Sequence, residues 1–353
     1  MTENPIVEWL TDINTCFLIG AGCSVCAEKP LMKDLTSSVL EKLSGPAKSL
    51  FNNLEGPAER SATIEDLLSQ LLLLKRLLSS RKEKKLGDWD TGSAESAIKK
   101  SLQSVVEEIG DKWDTSSVHE RFFRRLVGFS GRRACDIFSL NYDVVIEATL
   151  EKLRLPYTDG FRGAENAYFD LSLFDETSNQ MPFFKLYKLH GSINWVRDSD
   201  GVIRRRSLSS EDLGERHVIY PSEQKYFQTQ YGVYELLIKK LRDRLREERS
   251  NNKLVIIGYS LTDEHIIEAI VDAVCTERSN LTVYAFVGPE DSLEKQVSRM
   301  QALADRCQNR FNVMIGQEKF IGPALEKTEW DELKVKDLWK FENMVGLLAG
   351  ETA

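Results

Sequence analysis

No apolar stretch in the chain approaches the ~18–20 residues that a membrane-crossing helix needs, so nothing in it reads as a bilayer span. Cysteine is sparse: six residues spread over 353 do not make a disulfide framework. Positive charge is not in excess either. The formal net charge is −8, which opposes non-specific attraction to a phosphate backbone. Basic stretches at Lys82–Lys85, Arg121–Arg133 and Arg204–Arg206 are short and broken or flanked by acids or apolar residues, as solvated faces are, and direct nucleic-acid binding is not expected. Met1–Trp9 carries acids and no basic residue before its first apolar run, unlike a secretory signal. The expectation is a cytoplasmic protein with reduced thiols.

A metal set is also missing. Cys23-x-x-Cys26 suits a redox pair or half of a zinc site, but a structural zinc needs four ligands. Cys16, Cys135, Cys275 and Cys307 form no second pair. No structural metal is expected, and the two thiols read as incidental neighbours of a glycine loop. Internal repeats and low-complexity tracts are absent too.

What is present is an alternation of strands and helices. Thr15–Ile19 is a buried apolar run ending in Gly20-Ala21-Gly22-Cys23-Ser24, and a helix follows from about Leu31. From there to about Val127 nearly everything has helical periodicity; Thr63 stands three residues ahead of Asp66 as a capping box, and Ile64, Leu67, Leu68, Leu71 and Leu78 follow one face. Lys82–Gly92 reads as a polar loop. Strands return at Cys135–Leu140, Phe183–Leu189, Leu254–Ile257, Thr282–Val287 and Phe311–Ile315. Helices are expected at about 144–152, 226–249, 263–275 and 292–304, with a turn at Arg197–Gly201 leading to a return strand at Val202–Arg206. The pattern predicts a doubly wound, Rossmann-like α/β fold with a parallel sheet covered on both faces. Its α/β domain spans 1–320, interrupted by a helical insertion at 36–128 and followed by a C-terminal helical segment at 321–353. In that segment Leu338, Phe341, Val345 and Leu348 recur at helical spacing near Trp330 and Trp339, suiting either an interface or packing on the chain's own domain.

Four strand ends could carry chemistry. Gly20–Ser24 lets backbone N–H groups approach a phosphate, but Val25 occupies the place of a third glycine, and an ordinary tight turn fits as well. Asn141-Tyr142-Asp143 follows a strand, where side chains reach a ligand crevice or cap the next helix. His190-Gly191-Ser192 ends another strand; histidine suits acid–base work near neutrality, and a structural turn histidine is the alternative. Gly258-Tyr259-Ser260 follows the most apolar strand of the C-terminal half. Asp263, Glu264 and His265 then open a helix, with His265 reading as a partly exposed helix residue.

Taken together, these four motifs resemble the sirtuin family. Its Gly-Ala-Gly-x-Ser loop is matched by Gly20, Ala21, Gly22 and Ser24, and its Asn-x-Asp motif by Asn141 and Asp143. Its His-Gly pair is matched by His190-Gly191, and its late Gly-x-Ser loop by Gly258 and Ser260. The resemblance covers roughly residues 13–35 and 134–290. The zinc ribbon and the Asp-Phe-Arg segment of deacylase sirtuins are missing; Glu28-Lys29-Pro30-Leu31 stands where the latter would be. The Asn-Tyr-Asp and Lys-Leu-His-Gly-Ser-x-x-Trp forms are similar to those of bacterial sirtuin-like anti-phage effectors that deplete NAD.

The resemblance implies an NAD glycohydrolase with NAD as substrate. It assigns His190 as general base, Asn141 to the water or ribose, and Asp143 to the nicotinamide carboxamide. Gly20, Ala21, Gly22 and Ser24 would hold the pyrophosphate, with Gly258 and Ser260 lining the adenosine half. It further implies a gated homo-oligomer, similar to the subunit that works beside a HerA-type ATPase. A protein deacylase and a non-catalytic NAD or ADP-ribose sensor are the rival readings.

Overall fold

The computed structural model describes residues 4–55, 61–110, 115–129, 134–175, 184–198, 200–206, 216–218, 232–248, 251–307, 310–317, 319–323 and 337–350. The chain opens with α1 (Pro5–Thr11), β1 (Thr15–Ile19), a 3₁₀ turn (Ala21–Ala27), α2 (Met32–Lys42), α3 (Gly45–Asn52) and α4 (Ile64–Ser80). The hairpin β2 (Lys85–Leu86) and β3 (Trp89–Asp90) leads to α5 (Thr91–Ile109) and α6 (Ser117–Phe129). Next come β4 (Cys135–Ser139), α7 (Val145–Lys152), β5 (Tyr157–Thr158), β6 (Phe161–Arg162), β7 (Ala167–Phe169), β8 (Phe184–Lys188), β9 (Gly191–Arg197), β10 (Ile203–Arg205) and β11 (Arg216–Val218). The last part comprises α8 (Val233–Leu245), β12 (Lys253–Ile257), α9 (Glu264–Cys275), β13 (Thr282–Val287), α10 (Leu293–Arg306), β14 (Phe311–Ile315), β15 (Lys319–Ile321) and α11 (Phe341–Leu348).

The central sheet has the order β15-β14-β13-β12-β1-β4-β8-β5, with β15 antiparallel to β14 and the other pairs parallel. Its inner strands are largely apolar because both faces are covered, and the side-chain period of two splits them between two cores. Cys16, Leu18, Leu254 and Ile256 enter one core with Leu237 and Leu241 of α8 and Ile266 and Ile270 of α9. Phe17, Ile19, Val255 and Ile257 enter the other with residues of α1, α6, α7 and α11. At the amino edge the Arg244 guanidinium donates to Asp136 at 2.9 Å, to Asn252 at 2.6 Å and to the Asn14 carbonyl at 2.8 Å, tying β4, β12 and β1 together.

Helices α2, α4 and α5 form a bundle with its own apolar core, which reaches the sheet domain through Val144 and Ile193. The expected capping box of α4 is formed: Asp66 accepts the Thr63 N–H at 2.7 Å and its hydroxyl at 2.9 Å. Phe122, Phe123 and Leu126 of α6 instead pack in the core under the central sheet.

Two local expectations are revised and one alternative is decided. Lys82–Gly92 contains the β2–β3 hairpin rather than loop alone. A second, antiparallel sheet, β11-β9-β10-β7-β6, contains the return strand expected after Arg197–Gly201 as β10. The apolar face of α11 is not a free surface: Leu338, Phe341, Val345 and Leu348 are buried with Phe122 and Trp9. The helix expected from Tyr226 is described from Val233. Ser199 and Trp330 lie outside the described residues. Among the described residues no helix is long and apolar enough to cross a membrane.

Candidate active site

Strands β12, β1, β4 and β8 are neighbours and parallel, so their carboxyl ends open on one edge. The chain runs from β1 to β4 and β8 on one side, while β12, β13 and β14 lie on the other. Such a reversal of strand order is where doubly wound sheets receive ligands. Each motif singled out from sequence stands at one of these four ends.

The loops after β1 and β12 are pressed together backbone to backbone. The Gly20 N–H donates to the Ile257 carbonyl and the Gly22 N–H to the Gly258 carbonyl, both at 2.9 Å. A Cβ on Gly20 would fall 2.4 Å from the Gly258 oxygen, and one on Gly258 would fall 2.5 Å from the Cys23 nitrogen. Gly258 also has φ +66°, in the region that favours glycine. These glycines therefore serve the approach of one loop to the other, and two of the N–H groups expected to face a phosphate are spent on β12. Ala21 is exposed and Gly22 half-buried, so the outer edge of the turn is its accessible part.

Ser24 is buried at the base of that turn. Its hydroxyl accepts from Asn141 Nδ2 at 2.9 Å, joining the loop after β1 to the loop after β4. Asn141 is 5% exposed, and its Oδ1 is buried with no hydrogen-bond partner among the described residues. Asp143 Oδ1 accepts the Val145 N–H at 3.1 Å, so this carboxylate does cap α7. The Asp143 carbonyl accepts from the Lys188 ammonium, which is itself buried and 3.3 Å from Glu147 Oε1. Burial pushes the Glu147 carboxyl up, with the Lys188 charge opposing it. Tyr142, between the two motif residues, donates its hydroxyl to Glu65 of α4 at 2.7 Å.

His190 is 3% exposed, and its Nε2 lies 3.4 Å from Nε2 of His265 in the first turn of α9. His265 is the partly exposed helix residue expected, but it also meets the site. Ser260 is exposed; its hydroxyl is 3.2 Å from that of Thr262, its carbonyl accepts from Arg299, and it bonds none of the other motif residues.

Beneath the glycine turn lies a cluster that sequence did not reveal. His119 of α6 is buried, with Nδ1 3.6 Å from Cys26 Sγ, and the Ser116 hydroxyl donates to the same sulfur at 3.4 Å. Burial lowers the His119 pKa to about 4, against the opposing charge of Asp143. Burial likewise raises both thiols, Cys23 and Cys26, which keeps them protonated. Among the described residues no group of three or more His, Cys, Asp or Glu side chains could hold a metal ion. His119 and Glu65 are thus the neighbours missed from sequence; Lys188, inside the Lys-Leu-His-Gly form, and His265, at a helix start, were noticed but given no role.

Residues 136–309, a little under half of the chain, match the SIR2-like domain family. The match includes Asn141, Asp143, His190, Gly258 and Ser260 and leaves Gly20–Ser24 outside. The chain is therefore sirtuin-like over β4 to α10. Two solved structures are similar to it, both Sir2 homologues in complex with ADP-ribose. One is a histidine-to-asparagine mutant, 12% identical, covering 85% of this chain and 96% of its own, with a TM-score of 0.36. The other is a serine-to-alanine mutant, 11% identical, covering 87% of this chain and 97% of its own, with a TM-score of 0.38. No curated protein matches the chain.

Proposed function

We propose that the sirtuin-like chain binds NAD along the carboxyl edge of β12, β1, β4 and β8 and hydrolyses its nicotinamide–ribose bond to nicotinamide and ADP-ribose. The observation that carries this reading is the Ser24–Asn141 bond, which joins two strand-end loops while leaving Asn141 Oδ1 buried without a partner. A buried acceptor without a donor costs about 1–3 kcal/mol, and a substrate hydroxyl or water recovers it. The SIR2-like match over the loops after β4, β8 and β12 supports the reading.

Nicotinamide in NAD is already cationic, so it departs with the C–N electron pair as a neutral molecule and needs no acid. The ribose acquires oxocarbenium character. Water oxygen bonds to the anomeric carbon, and His190 accepts its proton. Asn141 Oδ1 orients the water or a ribose hydroxyl. Asp143, with Oδ1 committed to the Val145 N–H, has Oδ2 for the carboxamide. The outer edge of the turn at Ala21 and Gly22, with Ser24 at its base, faces the pyrophosphate, and Gly258 and Ser260 border the adenosine half.

The motif resemblance extends the proposal to an anti-phage effector whose activity is gated in a homo-oligomer beside a HerA-type ATPase. The buried face of α11 is unavailable for such assembly, whereas Leu73 and Leu77 on α4 are exposed. The test is nicotinamide release from NAD with and without an acylated peptide. Release without peptide, lowered roughly 10²–10⁴-fold by His190→Ala, is expected. Release that requires the peptide would favour the deacylase, and a folded His190→Ala protein with full turnover would remove His190 from the mechanism.

A further inference from the structure

The reaction just described makes no use of His265, yet the structure sets its imidazole against that of His190. The two Nε2 atoms are 3.4 Å apart and the ring centroids 5.5 Å apart. The rings come from different strand ends, those of β8 and β12, 75 residues apart in the chain. His190 is buried, while His265 is partly open to solvent.

Two ring nitrogens at this distance repel if both carry protons or both present lone pairs, so one N–H belongs between them. Two neutral imidazoles hold two N–H protons, and one of these is committed to the contact. A third proton makes the pair singly charged; a fourth would place two cations side by side, which each disfavours in the other. The charged groups brought to this end of the sheet are Asp263 and Glu264 beside His265, Asp143 after β4, the Lys188–Glu147 pair and Arg299 at the Ser260 carbonyl.

We infer that His265 is a positioning residue for His190: the two rings hold one proton between their Nε2 atoms, fix the orientation of His190 and accept one further proton as a unit. The inference rests on the reading of His190 as the base in NAD hydrolysis. In that reaction the C–N electron pair has left with nicotinamide. The proton released as water bonds to the ribose is the one the pair takes up, and it passes to the solvent that His265 partly faces. No other reactant is needed.

The experiment uses the full-length protein labelled with ¹⁵N in its histidine rings, of which there are only four. Titrated without NAD, the His190 and His265 signals are expected to protonate in two linked steps, each signal moving in both. In His265→Gln the His190 signal should move in a single step. Independent single-step titration of the two rings in the wild-type protein overturns the inference, whatever the activity. In the kinetic arm, His265→Ala should lose about tenfold or more in kcat with KM little changed, and His265→Gln, whose amide oxygen can accept the His190 Nε2 proton, should recover part of it. A loss confined to KM, or none, also overturns the positioning role. If the titration is linked but no sample releases nicotinamide, alone or in its activated assembly, the NAD-hydrolysis reading fails while the pairing stands.

Discussion

The Tyr142 hydroxyl donates to Glu65 Oε1 at 2.7 Å, so a helix of the bundle grips the site loop midway between Asn141 and Asp143. Both partners sit at the junction of two cores, where Val144 and Ile193 join the bundle to the sheet domain. Removing the hydroxyl with Tyr142→Phe withdraws a donor from a buried carboxylate, at a cost of about 1–3 kcal/mol. Urea unfolding should show that loss. Glu65→Gln, which keeps an amide oxygen as acceptor, should cost less. Equal stability of Tyr142→Phe and the wild type would mean that the contact does not hold the loop.

Ser24→Ala deletes the acceptor of Asn141 Nδ2 and leaves the amide free to turn. The fold should survive, because the substitution removes one buried hydroxyl and adds no bulk. Nicotinamide release should fall roughly 10–100-fold in kcat/KM, the worth of about 1–3 kcal/mol. Unchanged kinetics would take the Ser24–Asn141 bond out of the account of the site.

Gly258→Ala meets two penalties together. Its φ of +66° disfavours any Cβ, and that Cβ would lie 2.5 Å from the Cys23 nitrogen, a backbone atom that cannot swing aside. The expected loss is about 2 kcal/mol or more. Gly87 has a similar φ of +58° but open space around it, so Gly87→Ala isolates the backbone penalty of about 1–2 kcal/mol. Thermal melts of the two variants check the difference; Gly258→Ala melting no lower than Gly87→Ala would refute the tight approach of the loops.

His119 makes stability depend on pH. Its folded pKa is lowered to about 4 by burial, below the ordinary value near 6.5, so the unfolded chain binds a proton that the folded one resists. Its contribution is whole above pH 6.5 and is lost as pH falls toward 4, by about 3 kcal/mol in total. His119→Phe, which suits the ring contact with Phe341, removes the titrating group. Denaturant unfolding at pH 7.5 and pH 4.5 should show the wild type losing more stability than the variant; parallel losses would argue against a buried neutral imidazole.

The parts of the fold legible in sequence are those whose cause is local. Strands β1, β4, β8 and β12 announce themselves as apolar runs because each is buried on both faces. The glycines, Asn141 and His190 stand out because each interrupts such a run at its end. The antiparallel sheet was less legible, since β6, β7, β10 and β11 are two or three residues long, too short to display a period of two. Gly20 and Gly22 were noticed as glycines, but their reason, the backbone of Gly258, lies in a loop more than two hundred residues away.

Local sequence by itself determined which backbone segments extend or coil and which residues stand at strand ends. Tertiary structure alone decided which of those ends are neighbours. Strand order places β1 beside β4, from which follows the meeting of Ser24 with Asn141, while the packing of α9 and of the helical bundle brings His265 to His190 and Glu65 to Tyr142. The physical reason is range: backbone preference and side-chain periodicity act over a few residues, whereas these contacts form only once separate faces are buried together and long loops have closed.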